Sequence, residues 1–429
     1  MRCKVFMINR HCSFPAIIIA LTVCLSMGFI LSFQILRQQT LYFVDKLFWL
    51  GQDYYDFYQA SLNILQGKSP YLIERYVTPP LPALLNIPLT ILPYNYATIP
   101  VVILIPIAIL AAFLLINKIV NRQNTISDNV PIIISGIVTI FFSYPFLFLF
   151  DRGNTDGYVV LLMCMVLCCL RKNKILAGVL LAIAISVKVY PVLLFIPLMI
   201  NRRWKVLLST CVTVVIFMLL TPDLWRQYLS ERFFFRTGQF EILCNSSLAY
   251  TFFYMGSLTE KLFALTGRTV QLSLHFKNIS FLAYGFLLLC MGLSDLKRCR
   301  HTRDADIIPD AVMYFPFMVA LPQLAYNYEL IILVILIPVL CYLWQAAEQK
   351  ILQAIIMLIA CGVAITQTQA VALAKLSGTN IPYFILGLGL LLAMVGCTAY
   401  KFYTAYGMGR LEQHPATRKR EPGGLMVIT

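Results

Sequence analysis

Charge is scarce in this 429-residue chain: Asp, Glu, Lys and Arg together make up 12% of it, against 60% hydrophobic residues. A soluble protein needs a polar shell that this composition does not supply, so the sequence points to an all-α polytopic membrane protein. The short alternating segments of a transmembrane barrel are missing as well, because the apolar runs are about twenty residues long. Histidine is rare, with His11, His275, His301 and His414 scattered along the chain. No Ser/His/Asp arrangement, HExxH pair or Walker loop is present, which removes the common hydrolase, zinc-protease and nucleotide-phosphate signatures. Most of the 13 cysteines, among them Cys164, Cys168, Cys169, Cys290, Cys361 and Cys397, lie within apolar runs, and only Cys244 falls in a loop assigned to the outside. Without paired CxxC spacing they form neither a disulfide framework nor a zinc site, so no cofactor and no metal is expected. Neither a repeat of about 20 to 50 residues nor a similarity between the two halves is visible, which counts modestly against an inverted-repeat transporter.

What is present is a pattern of cations. The first apolar run, "SFPAIIIALTVCLSMGFILSFQIL" (13–36), follows Arg2, Lys4 and Arg10. It is longer than a cleavable signal core, so it predicts a retained first helix with a cytoplasmic flank. Lys and Arg cluster again in "NKIVNRQN" (117–124), "RKNK" (171–174), "NRRWK" (201–205) and "DLKRCRHTRDAD" (295–306), and in the turn Glu348 to Lys350 and the tail from Lys401. Placing these loops inside gives about twelve transmembrane helices with both termini cytoplasmic. The formal net charge of +15 is then a topology signal, and no nucleic-acid partner is expected. One polytopic domain covers residues 1–405, followed by a disordered cytoplasmic tail at 406–429.

Two segments do not fit simple crossings. "LPALLNIPLTILP" (81–93) is too short to span about 30 Å and reads as re-entrant or interfacial. "ILAGVLLAIAISVKVYPVLLFIPLMI" (175–200) runs from one inside loop to another, so it crosses twice or dips and returns, broken at "SVKVYP" by Lys188 and Pro191. A lysine beside a broken backbone at membrane depth marks a cavity lining or a snorkelling side chain, and both readings stay open.

Polar residues gather in the outside loops. The first outside loop (37–80) holds "DYYDFYQASLNILQG" (53–67), whose Tyr54, Phe57, Tyr58, Leu62 and Leu65 predict an amphipathic helix that begins near Asp53, stops at Gly67 and lies on the membrane. Asp53 is a candidate helix cap, and Asp56 a candidate for its wet face. "DRGNTDGY" (151–158) predicts a tight turn. The large outside loop (222–276) predicts interfacial helices, with Arg226, Arg232 and Arg236 reaching headgroups or an anionic ligand. "LPQLAYNYEL" (321–330) is the fourth polar stretch. A carboxylate held beside the bilayer near an outside cation suits a general base that deprotonates a hydroxyl attacking a lipid-phosphate sugar. A transporter or lipid flippase is the alternative, and it would place charge nearer the bilayer midplane.

Several stretches, taken in order, resemble a known family. They are Asp53 to Ala60, Gly67 with "SPY" (69–71), "YVTPPLPALLNIPL" (76–89), "RGNTDGYVVLL" (152–162), "LAIAISVKVYPVLLFIPLMINRRW" (181–204) and "CNSSLAYTF" (244–252). Together, over about residues 50–345, they resemble the polyprenol-phosphate-mannose-dependent mannosyltransferases of glycosyltransferase family 87, which have the C-type glycosyltransferase fold. The resemblance implies inverting transfer of mannose from a polyprenyl-phosphate donor to a lipid or glycan acceptor, at the outer face of the cell inner (plasma) membrane. It also implies that Asp53, seven residues before Ala60, is the base rather than Asp56. Asn154, Lys188, Asn245 and Ser247 fall on polar positions of the family pattern. With Asp56, Tyr58, Asp156, Tyr326 and Asn327 they form the expected substrate-binding set. Two departures stand out: the family's histidine is missing from "LAYNYEL", and Thr78 replaces the tyrosine before the double proline.

Overall fold

The computed structural model describes residues 13–36, 51–122, 124–233, 248–265, 272–301, 307–320, 327–347, 349–368 and 381–411. Among the described residues the chain is helical, with no strand. The order is α1 (Phe14–Leu36), α2 (Gln52–Leu65), α3 (Leu81–Asn86), α4 (Tyr94–Val120), α5 (Ile126–Phe142), α6 (Tyr144–Arg152), α7 (Asp156–Lys172), α8 (Lys174–Val187) and α9 (Phe195–Ile200). It continues with α10 (Trp204–Leu220), α11 (Pro222–Tyr228), α12 (Leu248–Leu265), α13 (Ser273–His301), α14 (Ile307–Val312), α15 (Phe315–Ala320), α16 (Leu336–Ala346), α17 (Lys350–Thr366) and α18 (Ile381–Leu411).

Local sequence explains the main boundaries. Thr125 and Asp128 cap the start of α5 reciprocally, each side chain accepting a backbone N–H of the other residue. Asn173 accepts the Leu176 N–H to start α8. Pro100 and Pro106 lie inside α4, which is tolerable where neighbouring helices enclose the freed carbonyls. Among the helical stretches long enough to cross a membrane, Glu329–Ala346 is the most enclosed, and α4, α5, α6 and α7 all touch it. α17 and α18 pack closely because Gly362 faces Gly389, and a Cβ on Gly362 would stand 2.7 Å from the Gly389 carbonyl oxygen. Small residues at a helix contact are the usual device for close approach in lipid. Leu25, Leu219 and Leu282 project outward with nothing over them, as a lipid-facing surface requires.

Five of the described helices are long and apolar enough to cross a membrane, or up to seven if each of two bent pairs is one span. That is fewer than the twelve crossings expected, because several apolar stretches form helices of only 10–17 residues, Leu81–Ile91 and Lys174–Val187 among them. The break at Lys188 is present: α8 ends at Val187, and a short 3-10 helix (Tyr190–Leu194) leads into α9.

Three other expectations change. The aromatic stripe of α2 does not lie on lipid. Tyr54, Phe57 and Tyr58 are buried against Tyr71, Tyr76, Trp225 and Tyr228, while Leu65 is exposed. Rings at 5.8 Å (Phe57 and Tyr76) and 6.1 Å (Tyr71 and Tyr228) give that face aromatic partners that acyl chains cannot match. Arg232 does not reach for headgroups, since its guanidinium donates to the carbonyls of Tyr71 (2.6 Å) and Ile73 (3.2 Å). It thereby fastens the segment after α10, bent by 103°, to the first loop. Arg226 is exposed and pairs with Asp223 at 3.4 Å, and Arg236 lies outside the described residues. Finally, the last helix continues to Leu411, past the expected start of the tail at 406.

Candidate active site

Two of the polar stretches, around Gly51 and Gly153, meet through their backbones. Gly51 precedes α2 with φ +81°. Its N–H donates to the Asp151 carbonyl (2.6 Å), and its own carbonyl accepts the Tyr94 hydroxyl (2.8 Å). Gly153 ends α6 with φ +64°, and a Cβ there would stand 3.1 Å from Gly51 Cα and 3.2 Å from Tyr54 Cβ. Positive φ and close approach together explain why both positions are glycine.

This junction sets Asp53 against the turn that follows α6. Gly51 occupies the N-cap and Asp53 is the second residue of α2, so the helix-cap reading of Asp53 does not hold. One carboxylate oxygen accepts from Asn154 Nδ2 at 2.7 Å, and the other stands 3.3 Å from the Arg152 guanidinium. Arg152 also donates to Gln52 Oε1 and lies over the Phe148 ring, 5.0 Å from its centroid. A carboxylate in the first turn of a helix is favoured by the helix dipole.

From Asn154 the network continues inward. Asn154 Oδ1 accepts the Asp156 backbone N–H (3.3 Å). The Asp156 carboxylate lies 3.2 Å from Lys188 Nζ and accepts the Tyr190 hydroxyl at 2.9 Å. Lys188 reaches Glu329 on its other side, at 3.9 Å. Three acids and two cations thus form one chain of contacts. The Asp156 and Glu329 side chains are only 1% and 7% exposed, whereas that of Asp53 is 21% exposed. Asp53 is therefore the most exposed acid of this chain of contacts.

The structure gathers Asp53, Asn154, Asp156 and Lys188 from the expected set. Asp56 lies one turn after Asp53, and its carboxyl is pushed up from 3.8 to about 6, first by burial and then by the Asp53 charge, with Arg75 and Arg152 opposing. Tyr58 is buried on the aromatic side of α2 and donates to the Leu92 carbonyl (2.9 Å), away from this network. Asn327 opens the 3-10 helix Asn327–Ile335, and its side chain lies outside the description. Asn245, Ser247 and Tyr326 also lie outside the described residues. Sequence reasoning notes Arg152 and Glu329 as polar residues of two outside stretches but gives no site role to them or to Tyr190. Each is a charged or hydroxyl-bearing neighbour of a residue or stretch already singled out, and Glu329 stands in the segment that lacks the expected histidine. Among the described residues, no three His, Cys, Asp or Glu side chains are grouped so as to hold a metal.

A search of curated proteins finds no match to the chain. The sequence model of glycosyltransferase family 87 matches residues 76–367. That span carries Arg152, Asn154, Asp156, Lys188, Tyr190 and Glu329. Asp53 precedes it and joins it through the contacts with Arg152 and Asn154. Helices suited to a bilayer, a buried charged network and a match over most of the chain agree, and the protein belongs to glycosyltransferase family 87.

Proposed function

We propose that this glycosyltransferase moves a mannosyl (hexosyl) unit from a polyprenyl-phosphate donor to an acceptor hydroxyl of a lipid or glycan. In this reading the reaction takes place at the outer face of the inner membrane, and both termini of a chain with about twelve crossings are cytoplasmic. Asp53 is the general base. It takes the proton of the acceptor hydroxyl as that oxygen bonds to the anomeric carbon from the face opposite the phosphate. The bond between the anomeric carbon and the phosphate oxygen breaks, polyprenyl phosphate leaves with the electron pair, and the configuration inverts. Lys188 and Arg152 are the cations available to the phosphate. Asp56, with Asn245, Ser247, Tyr326 and Asn327, completes the substrate-facing set, and the buried Asp156 and Tyr58 support it from behind. The observation that carries this reading is the accessible Asp53 carboxylate, tied through Asn154 to the group that holds Lys188.

The test is Asp53→Asn in the full-length protein, assayed for transfer from polyprenyl-phosphate mannose. Transfer should fall by about 10²-fold or more at unchanged expression, and full activity in the variant would sink the assignment. A transporter or lipid flippase is the second reading, favoured by the burial of Lys188 between two acids. It requires movement of a lipid without formation of a new glycosidic bond, so detection of a hexosylated product decides against it.

A further inference from the structure

We propose that Asn154 is a positioning residue that acts through Asp53, an inference that rests on the reading of Asp53 as the base. Asn154 is 3% exposed, which leaves a sugar no surface to touch. Its amide has one possible orientation. The Asp156 backbone N–H can only donate, so the Asn154 atom facing it at 3.3 Å is the carbonyl oxygen. The amide nitrogen therefore faces Asp53 Oδ2 at 2.7 Å as a donor. Because that N–H belongs to the first residue of α7, the Asn154 head is fixed by backbone and is not free to rotate.

Asp53 is also faced by the Arg152 guanidinium, 3.3 Å from its other oxygen, by the Asp56 carboxyl one turn on and by the Lys188 charge, all of which stay in place when Asn154 is changed. A neutral donor aimed at a carboxylate has two effects. It stabilises the ionised form, which is the form a general base needs before reaction. It also occupies lone-pair capacity on one oxygen, so the proton taken from the acceptor goes to a remaining lone pair and the carboxylate keeps its aim. Asp156 contributes at second hand: its backbone orients Asn154 while its side chain holds Lys188, so one buried residue ties the base to the cation.

The experiment compares Asn154→Ala and the near-isosteric Asn154→Asp with the parent protein. Membranes from a native host deleted for its own copy supply the acceptor, and radiolabelled polyprenyl-phosphate mannose is the probe. Initial rates are measured across pH. Loss of the donor should reduce the maximal rate by on the order of tenfold and move the acid limb to higher pH by about one unit, further for Asn154→Asp because it adds a like charge. The KM for the donor should stay within about twofold. An unmoved acid limb in both variants, or a raised donor KM at unchanged maximal rate, would overturn the proposal and return Asn154 to substrate contact or to a purely structural role. Asp53→Asn, run alongside, separates the two ideas. If that variant keeps its activity, the base reading itself fails; if it is inactive while the Asn154 variants keep their acid limb, only the role of Asn154 fails.

Discussion

Lys188 is bracketed by Asp156 and Glu329, so its ammonium stays charged in surroundings that would otherwise favour the neutral amine. A phosphate contact to a charged donor is worth about 1.5–3 kcal/mol. Lys188→Ala should therefore raise the donor KM by roughly 10- to 100-fold, whereas Lys188→Arg should retain part of the affinity. An unchanged KM in the alanine variant would reduce Lys188 to a structural ion pair. Asp56 offers a different readout. Its carboxyl titrates near 6 in the folded protein, above its ordinary 3.8, so the folded state binds the proton more tightly than the unfolded chain. The stabilisation is complete below the ordinary value and is lost as pH rises through about 6. Asp56→Asn should melt higher than the parent at neutral pH, with the gap closing well below pH 6, as thermal unfolding followed across pH would show. A gap that does not depend on pH would mean that Asp56 is not held protonated by its surroundings.

The junction of α2 with the end of α6 depends on Gly51 and Gly153, where added side-chain atoms would meet opposing backbone and side chains. Gly153→Ala combines positive φ with that close approach and should cost about 1–3 kcal/mol. Because the turn also carries Arg152 and Asn154, transfer activity should fall by more than the loss of folded protein explains, which specific activity normalised to folded protein measures. How much of this was legible in the sequence follows the physics of each element. The break at "SVKVYP" was readable because a charge and a proline within an apolar run have few solutions. The period of α2 was readable too, but periodicity shows that an apolar face exists and not what covers it; here protein rings do. The pairing of Asp53 with Arg152 and Asn154 joins residues about a hundred positions apart, and no local signal encodes such a contact. Five to seven of the described helices suit a span where about twelve crossings are expected, because hydropathy does not separate a span from a short helix enclosed by other helices.

A second charged group ties the last helix to the rest of the bundle. Lys401 on α18 is fully buried, 2.7 Å from Asp295 on α13 and 3.0 Å from Asp310 on α14. Arg298 pairs with Asp310 at 2.6 Å, and the Tyr314 hydroxyl donates to Asp295 at 2.8 Å. Two cations and two acids balance, so removing one leaves an uncompensated buried charge. Lys401→Met should destabilise the protein by about 3–5 kcal/mol, seen as a lower melting temperature in detergent. The donor KM of the remaining folded fraction should not change, because no contact joins this group to Lys188 or Asp53 among those described.

The burial of the α2 aromatic face has a consequence for the lipid as much as for the protein. A helix floating on the bilayer would rise and sink with it, whereas α2 is riveted to Tyr76, Trp225 and the clamp of Arg232. The height of Asp53 is thus set by the protein frame, while the height of a polyprenyl-linked phosphate is set by the membrane. The proposed reaction then has a preferred membrane thickness, and this protein would act as a gauge that works fastest where the two heights coincide.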